Sequence, residues 1–386
     1  MFYAPYHLMV LNWLVAASQT GRRMNIVDSS LMNPKSDVLS NRALSAGTLL
    51  VLLALSGCAG GGGGGGASAS GSPAGFSYPS SLSTAKSSDT VRGFVSPYAL
   101  DTTTHELHAV QQNILAVGSV TGKLVLTVAA IPLPTLPQIE PGFIVTFDPA
   151  SGGLLLNSPI ESLCHDCLRT VSVKATALVG GSAPGDVTFT YLDPGSIGLN
   201  YSTLGIWSKP TTVQSTWSEV GGPFSAGVMT RGIDLPTTGS AIYKGFFIGR
   251  YATLDTTSGP PVGTYLVGAN ARADVNFSGP GAVMFSTSNT TISGGALTTP
   301  LPVSQLDLTS TAMPITRTSS SNSFAGGGGT LTNGFGMGAT GQIRGAFYGP
   351  PAATAPYAPP ELGGSLAVGN ASGTQKMVGS FGLKKQ

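Results

Sequence analysis

The stretch Ala271-Arg272-Ala273-Asp274-Val275-Asn276-Phe277 alternates without a break. Ala271, Ala273, Val275 and Phe277 fall on one side of an extended chain, and Arg272, Asp274 and Asn276 on the other. Successive side chains of a strand point to opposite faces, so a period of two describes a half-buried antiparallel strand. The same period recurs downstream. Ile343 and Phe347 share a face with Gly345, against Gln342, Arg344 and Tyr348. Leu362, Gly364, Leu366 and Val368 share a face, as do Met377, Gly379, Phe381 and Leu383. Roughly eight such runs can be counted in the second half of the chain, the number at which a small closed barrel fills its own interior. Closure would pair the last strand, Lys376 to Lys384, with the first, near Ala241 to Ile248. Both carry large apolar residues that would template aggregation if left as open edges. Phe381 is then expected to point inward.

Working back along the chain, residues 77–231 are also read as β-rich. Ile114 to Val117, Lys123 to Val128, Phe143 to Phe147 and Val187 to Tyr191 are apolar runs separated by turn signals such as Asp148-Pro149 and Asp193-Pro194-Gly195. Leu133 to Pro141 is proline-rich and does not suit a central strand. One helix is expected here, over Thr103 to Leu115, with a threonine as N-cap and Glu106 in the first turn.

Composition agrees with an all-β chain. Charged residues make up 9% of the 386 positions, against about 25% in an average soluble domain. With 54 glycines and 41% hydrophobic residues, the chain is neither a highly charged disordered protein nor a charged helical bundle. A formal net charge of +2 and no basic cluster longer than a pair such as Lys384-Lys385 argue against a nucleic-acid partner.

The N-terminal region carries an export signal. Lys35 and Arg42 precede an apolar stretch, Ala43 to Leu55, which is too short to span a bilayer. Leu55-Ser56-Gly57-Cys58 follows directly. An apolar residue, two small residues and a cysteine form a lipobox: the small residues admit the extended chain to a signal peptidase, and the Cys58 thiol accepts a diacylglycerol. Residues 1–57 are read as the signal peptide, with translation expected to start at Met32 or Met24, because a signal counted from Met1 exceeds the usual length. Residues 58–76 form the lipidated cysteine and a tether that includes seven consecutive glycines, Gly60 to Gly66. Such a coil reaches roughly 20–25 Å. Ala59 is not aspartate, so the usual inner-membrane retention signal is missing and an outer-membrane location is expected.

Cys164 and Cys167 are the remaining cysteines, in Leu163-Cys164-His165-Asp166-Cys167-Leu168. Exported proteins meet an oxidising compartment, which favours a local disulfide closing a turn between Leu154-Leu155-Leu156 and Thr170 to Lys174. Free thiols, a metal site and a redox role are the alternatives. A metal would want about four ligands, and His165 is the extra candidate nearby, so no metal and no cofactor are expected.

Other motifs dissolve in context. Leu235-Pro236-Thr237-Thr238-Gly239 matches a sortase signal, but an alternating strand follows it instead of an apolar span and a basic tail. Gly336 to Gly341 matches GxGxxG, yet a strand follows where a dinucleotide site needs a helix. His105 and His108 are spaced to share a helix face, and exposed histidines are the simpler reading. No Ser/His/Asp set, HExxH or paired carboxylates stand in a recognisable context, so no catalysis is expected.

Several short stretches together resemble one family. They are Tyr201 to Trp207, Gly227 to Arg231, Leu235 to Gly245, Ala273 to Phe277, Gly345 to Pro350, Glu361 to Ser365 and the closing Val378 to Lys385. These are similar to the transferrin-binding protein B family of bacterial surface lipoproteins, and the order of lipobox, glycine-rich anchor and β domains is also the family's. The resemblance is good from Tyr201 to Lys385 and loose before it. It implies a β-rich handle domain, here residues 77–231, followed by an eight-stranded antiparallel up-and-down barrel, residues 232–386. It further implies a non-enzymatic protein, lipid-anchored at Cys58 in the outer membrane and facing the exterior. The expected partner is a host or environmental ligand, such as an iron- or haem-carrier protein. The chain has room for one handle-and-barrel lobe where the transferrin binders carry two. The shared motifs belong to the barrel architecture, so no ligand-binding residue is carried over. The competing expectation is a structural or adhesive surface lipoprotein with no defined small ligand.

Overall fold

A computed structural model describes residues 77–386, apart from 87–88, 90, 110–112, 121, 135–138, 157, 179–184, 214–216, 256–259, 328–330, 334–338 and 355–356. The expected signal peptide, Cys58 and the glycine tether lie outside the described residues.

The N-terminal sheet is built from ten principal strands: β1 (Val91–Val95), β2 (Tyr98–Asp101), β3 (Glu106–Ala109), β4 (Asn113–Val120), β5 (Lys123–Val128), β6 (Phe143–Phe147), β7 (Leu168–Lys174), β8 (Asp186–Leu192), β9 (Ser202–Pro210) and β10 (Glu219–Val228). Their order across the sheet is β6-β5-β4-β1-β10-β9-β8-β7, with β2 pairing both β10 and β3. Every pairing is antiparallel. β6 and β8 are far apart along that order, yet the rings of Phe147 and Phe189 stack with centroids 4.5 Å apart. Phe143 of β6 meets Trp207 of β9 edge-on at 5.3 Å. The sheet therefore curls over, and its alternate residues, including Leu124, Leu126, Val145, Val187 and Phe224, enclose an aromatic core.

The helix expected over Thr103 to Leu115 is not formed. Asp101 accepts the backbone N–H groups of Thr103 at 2.8 Å and Thr104 at 3.2 Å. His105 takes a left-handed φ of 60°, and the chain turns back as β3. A carboxylate capping two successive N–H groups looks the same in sequence at a helix start and at a hairpin turn. The pairing of Leu100 with Leu107 decides for the hairpin.

Eight further strands make the C-terminal sheet: β11 (Ser240–Thr253), β12 (Gly263–Asn276), β13 (Ala282–Ser293), β14 (Met313–Arg317), β15 (Asn322–Gly326), β16 (Thr340–Tyr348), β17 (Glu361–Gly369) and β18 (Gln375–Lys385). Each pairs antiparallel with the next. β18 returns to β11 in unbroken register, from Tyr243 opposite Lys385 to Thr253 opposite Gln375. The result is an all-β chain with a closed eight-stranded up-and-down barrel, as the alternation predicts. Phe381, Met377 and Leu383 all point into its interior.

Candidate ligand-binding surfaces

Among the described residues, large side chains pack in the middle of the barrel. Phe285 and Phe381 lie 4.4 Å apart, and Phe277, Tyr243 and Phe324 surround Phe347 at 5.5 to 6.0 Å. Aromatic groups at these separations are in contact across the lumen. This packing turns attention to the outer surfaces.

Much of the outer face of β17 and β18 is covered by the first sheet. Val378 packs with Leu204, Ile206, Leu168 and Leu192 in a core of its own between the two sheets. Ser380 donates to the Gly205 carbonyl at 2.9 Å, and Ser96 donates to Ser365 at 3.1 Å. A Cβ at Gly382 would stand 2.6 Å from the end of the Leu204 side chain, which would have to shift to admit it. At the rim, Glu361 is 1% exposed. Its carboxylate accepts from the Asn200 and Tyr201 N–H groups and, at 2.7 Å, from the Ser202 hydroxyl. Burial pushes its pKa up, against the pull of these donors. Sequence reading places Glu361 in a motif but gives it no role, since a glutamate in a strand normally signals an outer face.

The two sheets are aligned, which gives the molecule two ends. At the near end, Tyr78 donates to Asp234 at 2.7 Å, Asn200 and Tyr201 meet Glu361, and Met229 bridges to Tyr348. At the far end, Glu219 of β10 lies 3.9 Å from Arg250 of β11 and accepts from Tyr98 at 2.9 Å. The chain enters at the near end, through Ser77 and Tyr78. The connections β5–β6, β7–β8, β9–β10, β11–β12 and β17–β18 leave from the far end. A buried ion pair organises part of that end: the Lys209 ammonium of β9 meets the Glu140 carboxylate, both side chains at 0% exposure. Glu140 also accepts from the Thr212 hydroxyl at 2.8 Å and its N–H at 3.0 Å, which ties the β5–β6 connection to the β9–β10 connection. Neither residue stands out in sequence, for the same reason as Glu361. His108 lies beside Trp217 at this end, ring centroids 6.3 Å apart. Burial, then the nearby Lys376 charge, depress its pKa.

Cys164 and Cys167 sit on the turn that leads into β7, with Cα atoms 5.8 Å apart and their sulfurs facing one another. Leu154 pairs with Arg169, so the turn does join the two segments the sequence suggests. Ile160, just before it, is buried against Gly268 of β12, where any Cβ would collide with it. His165 lies 2.8 Å from Asp166 and 3.5 Å from Glu161, exposed on this turn. These three could offer three ligand atoms to a cation, but each histidine nitrogen already faces a carboxylate. His105 and His108, expected on one helix face, fall on a turn and a strand and share no site. Leu235 to Gly239 leads into β11, and the glycines at 336–338 lie outside the described residues.

Two clefts remain. One of about 500 Å³ opens at the near end between Leu82, Pro149, Asp193 and Leu199. One of about 210 Å³ opens where β1 meets β15 and β16.

No family model and no curated protein matches this chain. Among solved structures it is similar to a double mutant of transferrin binding protein B, a vaccine antigen from Haemophilus parasuis, at 13% identity and a TM-score of 0.37, covering 76% of this chain and 45% of that one. It is similar to isotype 1 transferrin binding protein B from serogroup B Neisseria meningitidis at 15% identity and a TM-score of 0.30, over 71% of this chain and 51% of that one. A structure described as a surface lipoprotein matches at 13% identity and a TM-score of 0.32, over 76% of this chain and 98% of that one. The chain thus spans under half the length of the Haemophilus protein.

Proposed function

We propose that this protein is a surface lipoprotein, acylated at Cys58 and held on the outer membrane with its far end directed outward, which binds a host or environmental ligand without catalysis. An iron- or haem-carrier protein is the partner class that the motif resemblance favours. The observation that carries the reading is the arrangement of ends. The chain emerges at Ser77 on one end, and the connections β5–β6, β9–β10 and β11–β12 leave from the other, so a lipid at Cys58 would present those connections to the exterior. The filled barrel supports recognition by surface loops rather than by an enclosed site. No helix among the described residues is long and apolar enough to cross a membrane, which suits anchoring through a lipid.

Two experiments test this. Cys58→Ala should leave an uncleaved, unacylated precursor; normal processing and membrane partition of that variant would remove the anchor from the proposal. The full chain, purified in mild detergent, should bind one of three probes: haem, ferric iron, or a host iron-carrier protein. Correct processing with no binding to any of them would favour a structural or adhesive lipoprotein instead.

A further inference from the structure

β18, β11 and β12 lie side by side, and toward the near end of the barrel their register aligns three basic residues. Lys384 stands opposite Lys244, and Lys244 opposite Arg272. Their neighbours in sequence, Leu383, Tyr243, Ala271 and Ala273, belong to the barrel core. The three therefore project outward, and all are exposed. Directly opposite residues of antiparallel strands have Cβ atoms about 5 Å apart, which makes one lateral row of cations. Arg272 is matched: it donates to Asp274 through two nitrogens, at 2.9 and 2.7 Å. Neither lysine forms a salt bridge among the described residues. Glu361 stands opposite Lys384 on its other side, but its carboxylate is held by Asn200, Tyr201 and Ser202. Like charges directly opposite one another destabilise a sheet, and an anion laid across the two lysines would offset that cost.

The next row toward the near-end rim is apolar on both sides. Ile242 is opposite Asp274, and Asp274 opposite Met284. Ile242 is 42% exposed and Met284 50%. Ile233, on the turn before β11, and Tyr357, in the β16–β17 connection, are exposed at the same end. Apolar side chains at a rim, with ammonium groups one row behind them, match the layering of a membrane surface. The apolar groups enter between headgroups, and the lysines keep their charges at the phosphates. The chain also enters at this end, on a tether that reaches roughly 20–25 Å, so the rim can come down onto the bilayer.

We propose that the near-end outer face of the barrel is a membrane-docking surface, with Lys244 and Lys384 on the lipid phosphates of an anionic bilayer and Ile242 and Met284 among the headgroups. The lobe then rests on the membrane by this face instead of swinging freely on its tether. This rests on the anchoring at Cys58 proposed above, and the experiment separates the two.

The full chain, purified with its lipid, is inserted into vesicles of phosphatidylcholine, alone or with about one-third phosphatidylglycerol. Flotation first establishes that the chain is held in both. Amine acetylation at single-hit dose, read by mass spectrometry, then measures lysine access. Lys174, exposed at the far end of β7, is the internal standard. One lysine near an anionic surface shifts such an equilibrium about fivefold. Labelling of Lys244 and Lys384 relative to Lys174 should therefore fall about tenfold or more with phosphatidylglycerol, and high salt should restore it. Peroxide oxidation of Met284 gives a second readout. It should slow with phosphatidylglycerol in the unsubstituted chain and return to the phosphatidylcholine rate when Lys244→Glu and Lys384→Glu are combined. Flotation with unchanged labelling, equal protection in both kinds of vesicle, or protection of Met284 that survives the charge reversal would overturn the docking face and leave the anchor standing. Failure to float would remove the anchor, and the docking face with it.

Discussion

Phe381 of the last strand and Phe285 of the third barrel strand face each other across the lumen with ring centroids 4.4 Å apart. Neither is more than 1% exposed. This contact links barrel closure to barrel filling, because Phe381 reaches the centre only when β18 is zipped to β11.

Phe381→Ala should therefore lower stability by about 3–5 kcal/mol, the cost of an emptied aromatic site. Deleting Met377 to Gln386 should abolish the cooperative unfolding of the whole barrel, not fray one edge. Denaturant unfolding reads both. A truncated chain with the same midpoint and slope would show that β18 does not hold the barrel shut.

The Lys209–Glu140 pair is fully buried, so removing one charge should cost more than removing both. Lys209→Met or Glu140→Leu alone should destabilise by about 3–5 kcal/mol, and the double variant should recover a large part of that loss. A double-mutant cycle in urea measures the coupling. Additive losses would mean that the two charges do not compensate each other.

Glu361 should make the docked state pH-dependent. Its pKa is raised by burial in the folded protein, so the folded state binds its proton more tightly than the unfolded chain does. The stability it contributes is full below the ordinary carboxylate range and is lost as pH rises through the raised value. Stability relative to Glu361→Gln should fall over that window as the pH increases. A difference that grows with pH would place the pKa below the ordinary value instead.

Cys164 and Cys167 are placed for a disulfide, which we expect in exported protein. Thiol labelling should need prior reduction, and full labelling without reductant would count against the bond. The loop is short, so Cys164→Ser should cost a few kcal/mol at most and leave the fold intact, with Ile160 still seated against Gly268.

The barrel was legible because alternation directly encodes which side chains face inward. Ala271 to Phe277 and Met377 to Leu383 specify strands, and the cost of open apolar edges specifies closure. The segment from Thr103 was misread because the turn signal at Asp101 to Thr104 serves a helix and a hairpin equally, and only pairing with β2 separates them.

By itself, the sequence determined the strand periodicity and the inward set of the barrel, since each is a local pattern with a local physical cause. Tertiary structure alone decided what covers the outer faces. Val378, Ser380 and Glu361 occupy positions that alternation assigns to solvent, and the first sheet buries them. A period of two separates one face from the other, but it carries no information about which distant surface will come to rest on the second face.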